Sequence, residues 1–296
     1  MDNALRFVNT TIKFLNVVAK VLPDDVVAKL KELANKETGS MPKSIYAAMF
    51  ENMEKAVTLD RPLCQDTGVV QFFLRVGTKF PLIDELEPLL REAVLTASAS
   101  IPLRPNAVET FEEKNTGTNV GKKVPYIDYE IIPNSDKLEM DIYMAGGGCS
   151  LPGRATVFMP SAGYEAVADF VAETMVNYGI NACPPLVVGI GIGPCMATAA
   201  KLAKKASLRT VGSRNPEPLV ANMEVELENS LNNIGIGPQG LSGNTSVLCV
   251  NVENMARHPS SMGAAVAFGC WAHRRGTIVF NSNMSYQILT HKGVEL

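Results

Sequence analysis

Apolar and polar positions along this chain repeat with two different periods, and the change of period marks the elements. From Asp2 to Val21 the apolar residues recur every three or four positions between Asp2, Arg6, Lys13 and Lys20, the rhythm of an amphipathic helix. Pro23 opens a second helix with Asp24 and Asp25 in its first turn, where carboxylates meet the positive end of the helix dipole, and Ser40 caps a third before Ile45 to Leu59. Beyond them Val69 to Val76 reads as a strand, and Leu86 to Ser98 as a helix that stops before Pro102. Tyr126 to Ile132 and Leu138 to Met144 read as strands, the second alternating Met140, Ile142 and Met144 on one face. Helices are expected at Gly163 to Val176, Ala197 to Ala206 and Leu219 to Asn232, around a buried strand at Leu186 to Ile190. Three apolar runs follow, Ser246 to Val252, Gly263 to Phe268 and Thr277 to Phe280. The pattern predicts an α/β chain of the mixed α+β kind, with N-terminal helices followed by mixed sheets packed with helices, and no internal repeat.

Composition narrows the classes. With 296 residues, 46% hydrophobic and 19% charged, the chain buries a substantial core and is not disordered. A formal net charge of -3 carries no basic excess, so neither nucleic acid nor an anionic membrane surface is expected as a partner. The longest uncharged stretch, Thr174 to Ala200, is interrupted by Gly179, Pro184, Pro185, Gly189, Gly191, Gly193 and Pro194, which argues against a membrane span. The N-terminal helix offers no small-residue cleavage site, and six cysteines without a secretory signal read as reduced thiols, so a cytoplasmic location is expected.

Three of those cysteines stand in unusual settings. Cys64 opens Cys64-Gln65-Asp66-Thr67-Gly68, Cys183 lies in Asn181-Ala182-Cys183-Pro184-Pro185, and Cys270 in Gly269-Cys270-Trp271-Ala272-His273-Arg274-Arg275. Three thiolates suit a cubane iron-sulfur cluster with one iron left open for substrate. Cys195 and Cys249 lie in apolar runs and are expected in the core; Cys149, after three glycines, stays undecided, and no CxxC pair points to zinc. The run Gly146-Gly147-Gly148 lets a backbone approach an anion and also fits a plain turn. Gly189-x-Gly191-x-Gly193-Pro194 is no dinucleotide fingerprint, because a proline without an amide follows and no acidic residue lies at the ribose distance. His258, before Pro259, is the readiest proton carrier. His273 is expected to pair with carboxylates or cover a surface, and His291 to be a solvated tail residue. Arg104, framed by Pro102 and Pro105, suits a substrate carboxylate, with Arg154, Arg209 and Arg214 as rivals.

Taken together these motifs resemble the iron-sulfur hydro-lyases that include the class I fumarases. The resemblance runs nearly end to end, through Pro23 to Val27, Cys64 to Gly68, Met144 to Arg154, Asn181 to Pro185, Gly235 to Gly243 and Gly269 to Gly276. It implies a 4Fe-4S cluster on Cys64, Cys183 and Cys270, without Cys149. It also implies substrate contacts at Gln65, Asp66, Arg104 and the backbone of Gly147, and proton transfer by His258 with Asp66. Class I fumarases usually follow the triple glycine with Ser-Glu-Asn, whereas this chain has Cys149-Ser150-Leu151-Pro152-Gly153-Arg154, the pattern of members that dehydrate tartrate. The implied substrate is therefore a small dicarboxylic hydroxy acid, tartrate before fumarate or malate. Residues 1-296 correspond to the family's alpha domain, and the domain that completes the site in single-chain members is expected on a separate beta subunit, in an alpha2-beta2 assembly. A non-catalytic iron-sulfur subunit and a plain structural subunit are the rival readings.

Overall fold

The computed structural model of the chain describes residues 2–296. In chain order its elements are α1 (Asn3–Lys20), α2 (Asp24–Lys36), α3 (Ser40–Thr58), β1 (Val69–Gly77), α4 (Leu86–Ser100), β2 (Val108–Glu109), β3 (Lys114–Asn115), β4 (Tyr126–Ile132) and β5 (Leu138–Ala145). They continue as α5 (Gly147–Ser150), β6 (Arg154–Phe158), α6 (Glu165–Tyr178), β7 (Leu186–Gly193), α7 (Met196–Leu208), α8 (Pro218–Asn233), β8 (Val247–Asn254), β9 (Met262–Gly269), β10 (Arg275–Phe280) and β11 (Tyr286–Ile288). The expected helices and strands are present within a few residues of their sequence positions, and the fold is α/β. β2, β3, β6 and β11 are additions; at two to five residues each they are too short for a periodic signal.

The chain divides into two compact units, one of Met1–Asp24, Glu51–Gly147 and Arg274–Leu296, the other of Asp25–Phe50 and Gly148–His273. The first is built on a five-stranded sheet ordered β11-β10-β5-β1-β4. β1 runs parallel to β4 and antiparallel to β5, which pairs with β10. One face carries Phe72, Leu74, Met140, Ile142, Ile278 and Phe280, buried with Phe7, Phe14 and Val18 of α1 and Leu90 and Val94 of α4. Each such side chain contributes about 1.5–3 kcal/mol by leaving water. Gly276 permits this packing, since a β-carbon there would stand 2.6 Å from Phe14 and Val18. The opposite face is charged: Arg75 pairs with Glu139 and Asp141, and the Thr277 hydroxyl donates to Asp141 at 2.6 Å.

The second unit holds a four-stranded sheet ordered β6-β9-β7-β8, with β7 and β8 parallel and β9 antiparallel to both β6 and β7. The glycines of β7 set its layers. A β-carbon at Gly189 would lie 2.2 Å from the Ala203 carbonyl oxygen, and one at Gly191 2.0 Å from that of Ala199, so α7 rests directly on the strand. Close helix packing, through Ala199, Ala203 and Ala265, is what this glycine run serves. On the other face Val188, Ile190, Val250 and Val252 pack with Val167 and Val171 of α6 and Leu227 and Leu231 of α8. Glu224 is wholly buried in α8 yet satisfied, accepting from the Val252 amide at 2.8 Å, the Asn215 amide at 2.9 Å and Arg209 at 2.7 Å.

Candidate active site

In the first unit the antiparallel register gathers three chain ends at one sheet edge. Val69 opposes Ala145 and Tyr143 opposes Arg275, so the turn before β1, the glycines after β5 and the residue before β10 are neighbours. Asp66 joins them. Its Oδ1 accepts from the Gly68 amide at 2.9 Å, a local turn, and from Asn106 Nδ2 at 2.6 Å, while Oδ2 accepts from the Gly147 amide at 2.8 Å. Arg274 Nη2 donates to the Asp66 main-chain oxygen at 2.6 Å, and the Arg274 carbonyl accepts from the Met144 amide at 3.0 Å. Partial burial pushes the Asp66 carboxyl up; the amides of Gly147, Gly68 and Asn106, with the charge of Arg274, outweigh it and hold the pKa below the usual carboxylate value.

The glycines here are steric requirements. Gly68 takes φ +73° with the Ala145 carbonyl oxygen 2.1 Å from where a β-carbon would stand, and at Gly146 a β-carbon would reach Asp66 Oδ2 at 2.8 Å. Gly147 has room, its nearest contact being 3.8 Å away; its amide serves Asp66.

Cys64 is half-buried, one residue after Leu63, whose amide donates to Ala19 and whose carbonyl accepts from Asn52, each at 2.9 Å. Its thiol donates to Gln65 Oε1 at 3.5 Å. Gln65 and Arg104 are exposed. Arg104 makes no side-chain hydrogen bond or ion pair among the described residues, although Leu103 and Ala107 on either side are buried anchors. Its rivals are engaged. Arg154 donates to the carbonyls of Leu151 and Gly153 and lies over the Tyr178 ring, Arg209 pairs with Glu224, and Arg214 with Glu228.

In the second unit the start of β7 and the end of β9 meet through the pair Val187–Gly269, which brings Cys183 and Cys270 onto adjacent segments. The Trp271 amide donates to the Cys183 carbonyl at 3.2 Å. Cys183 is exposed in the left-handed region at φ +54°, a conformation a non-glycine residue holds only where its surroundings dictate it. Cys270 is half-buried. Gly148 is needed nearby, because a β-carbon would come within 2.4 Å of the Asn181 oxygen. His258 is exposed on the loop from β8 to β9, its Nδ1 receiving the Ser260 amide at 3.2 Å with the Ser260 hydroxyl at 2.7 Å. A groove of about 840 Å³, lined by Tyr164, Leu219, Met223, Met255 and Arg257, ends just before it.

Some expectations require correction. Cys249 is in the core, but Cys195 is exposed at the N-cap of α7, its amide donating to Thr198 Oγ1 at 3.2 Å. The Thr198 side chain, aided by the amides of Thr198 and Ala197, holds the Cys195 thiol below its ordinary pKa. The apolar run around it continues in α7, and a cap faces outward even when its flanks are buried. His273 is buried, not at a surface, and bonds the Ser207 carbonyl at 2.8 Å. His291 is also buried, against the Val21 carbonyl at 3.2 Å, because the chain end returns onto the first unit.

The family model described as Fumarate hydratase (Fumerase) matches residues 8–279. The chain belongs to this family. It is similar to the L(+)-tartrate dehydratase subunit alpha of Escherichia coli (strain K12), 53% identical over 278 residues that cover 94% of this chain and 92% of the relative. The subunit of the same name from Shigella boydii serotype 4 (strain Sb227) matches with the same 53% identity and coverage of 94% and 92%. The site of this Fumerase-family chain contains two residues that sequence reasoning did not single out, Asn106 and Arg274. Neither belongs to a periodic pattern; only the Asp66 turn connects them.

Proposed function

We propose that this chain is the alpha subunit of a 4Fe-4S hydro-lyase that dehydrates L(+)-tartrate to oxaloacetate and water, with Cys64, Cys183 and Cys270 as the cluster's ligands. The observation that carries the reading is the 53% identity to L(+)-tartrate dehydratase subunit alpha over 94% of the chain. The residues present suit the cluster. Among the described residues no three His, Cys, Asp or Glu side chains gather around one ion, and a cubane instead takes one thiolate per iron. The guanidinium of Arg274, 1% exposed, has Nε and Nη1 buried without a hydrogen-bond partner, while Nη2 bonds the main chain of Asp66, two residues from Cys64. A net negative group is the natural complement to a buried guanidinium.

When bound, such a cluster supplies a Lewis-acidic iron that polarises the substrate hydroxyl and one carboxylate oxygen without electron transfer. The protein's own residues do the rest. Arg104, solvated and unengaged, forks onto a substrate carboxylate. Gln65 offers its amide beside Cys64, and the Gly147 backbone, held by Asp66, borders the substrate. The Ser260 amide and hydroxyl engage Nδ1 of His258, which leaves Nε2 as the ring nitrogen that passes a proton to the leaving oxygen. Asp66 assists by orienting the turn. The base that removes the proton next to the carboxylate belongs to a beta subunit, and the assembly is a cytoplasmic alpha2-beta2 heterotetramer.

The description of the matching family favours a second reading, the same machinery acting on fumarate and malate. Rates of the alpha-beta assembly on L-tartrate and on L-malate separate the two. A kcat/KM for tartrate well above that for malate is expected, and the reverse order refutes the substrate assignment. Arg104→Ala should raise KM for tartrate with cluster content unchanged, while Arg154→Ala should not.

A further inference from the structure

We propose that Asn106 is a positioning residue that braces the Arg104 loop against the Asp66–Gly147 turn, so that the substrate's carboxylate anchor and the cluster-side turn keep one fixed spacing. This rests on the hydro-lyase reading for its catalytic consequence, though the brace itself does not.

The loop is held from both directions. Toward the turn, Asn106 Nδ2 donates to Asp66 Oδ1 at 2.6 Å. Behind it, the Asn106 amide donates to Asn119 Oδ1 at 3.0 Å, and buried Asn119 passes the restraint to Ser98 of α4 at 2.9 Å. Asn115 Nδ2 holds the Pro105 carbonyl at 3.0 Å, and Ala107 exchanges main-chain bonds with Thr116 and Thr118 at 2.9 and 3.3 Å. Buried Leu103 and Ala107 flank the segment. A loop with its backbone tied at so many points, yet with Arg104 itself unengaged, is arranged to present a cation rather than to satisfy one. Asn106 is the loop's one side-chain bond to Asp66, whose other carboxylate oxygen fixes Gly147 and whose main chain is held by Arg274. A carboxamide suits this place, because it donates to the carboxylate without adding charge beside the substrate's own carboxylates.

The test uses Asn106→Ala, Asn106→Asp, Arg104→Ala and the Asn106→Ala/Arg104→Ala pair, each in the alpha-beta assembly. Hydrogen exchange reads the brace directly. Asn106→Ala should speed exchange at the Gly68 and Gly147 amides and across residues 102–107, leaving the β7–β9 ladder unchanged. Unaltered exchange at Gly68 and Gly147 would overturn the proposal whether or not the assembly dehydrates tartrate. For turnover, Asn106→Ala should lower kcat/KM for tartrate about 10- to 100-fold, the scale of an ångström misplacement. Asn106→Asp should lose more, since it sets one acceptor against another. In the Arg104→Ala background the same change should cost little, because the residue acts through the anchor already removed. Fully additive losses would overturn the positioning role. A wild type inert toward tartrate would refute the tartrate reading and leave the exchange result to decide the brace.

Discussion

Replacing Asp66 by asparagine changes no volume and removes only charge and one acceptor. Three donors point at its carboxylate, the amides of Gly68 and Gly147 and the Asn106 carboxamide. The best orientation of the new amide keeps its oxygen toward Gly68 and Asn106 and turns its NH2 group against the Gly147 N–H. That side chain has nowhere else to go, because Gly146 passes so close that even a β-carbon there would lie 2.8 Å from Oδ2. One bond to a charged acceptor, about 1.5–3 kcal/mol, is lost, and the remaining two weaken from charge-assisted to neutral strength. Water reaches this half-buried site and returns part of the loss, so the net cost is about 2–4 kcal/mol. Felt as local opening, that corresponds to roughly 30- to 1,000-fold faster exchange of the Gly147 amide. Exchange of backbone amides in the assembled protein, followed at Gly147 and compared with a β8 control, is the assay. Protection of Gly147 within threefold of wild type would refute the claim that Asp66 holds this turn.

Other consequences follow from packing and charge. Gly191→Ala sets a β-carbon 2.0 Å from the Ala199 carbonyl oxygen and should destabilise the second unit by about 1–3 kcal/mol or more in thermal melts. Gly147→Ala, whose nearest contact is 3.8 Å, should melt close to wild type. Asp141 has its pKa raised, chiefly by burial and against the pull of Thr277 and Arg75, above the ordinary 3.8. A carboxyl that binds its proton more tightly when folded loses stability as pH rises from that ordinary value through the folded pKa. Asp141→Asn, which keeps an acceptor for Thr277, should therefore melt higher than wild type at neutral pH, with the gain vanishing below pH 3.8. A gain that persists in acid would show that charge is not its cause.

The fold was legible wherever burial imposed a period. The alternation of Met140, Ile142 and Met144 corresponds to the face of β5 that packs with α1 and α4, and the first three helices stand where their stripes placed them, although Ser40, expected as a cap, is the first residue of α3 itself. Short edge strands such as β6 and β11 are set by tertiary pairing and leave no such trace. Among candidate residues the sequence marked those with unusual chemistry, Cys64, Cys183, Cys270, Arg104 and His258, but not the two that hold the Asp66 turn. Asn106 and Arg274 take their meaning from sheet register and loop closure, which bring distant residues onto Asp66. Cys195 shows the converse. An apolar run predicted burial, while the start of a helix turned that residue outward.

The central claim is that three thiolates of this chain hold an iron-sulfur cluster at a hydro-lyase site. Iron and acid-labile sulfide, counted in the alpha-beta assembly prepared without oxygen and again in Cys64→Ala, test it most directly. The account predicts near-equal iron and sulfide in the wild type and their loss in the variant; a wild type without metal after reconstitution, or a Cys64→Ala protein with undiminished iron, would contradict it.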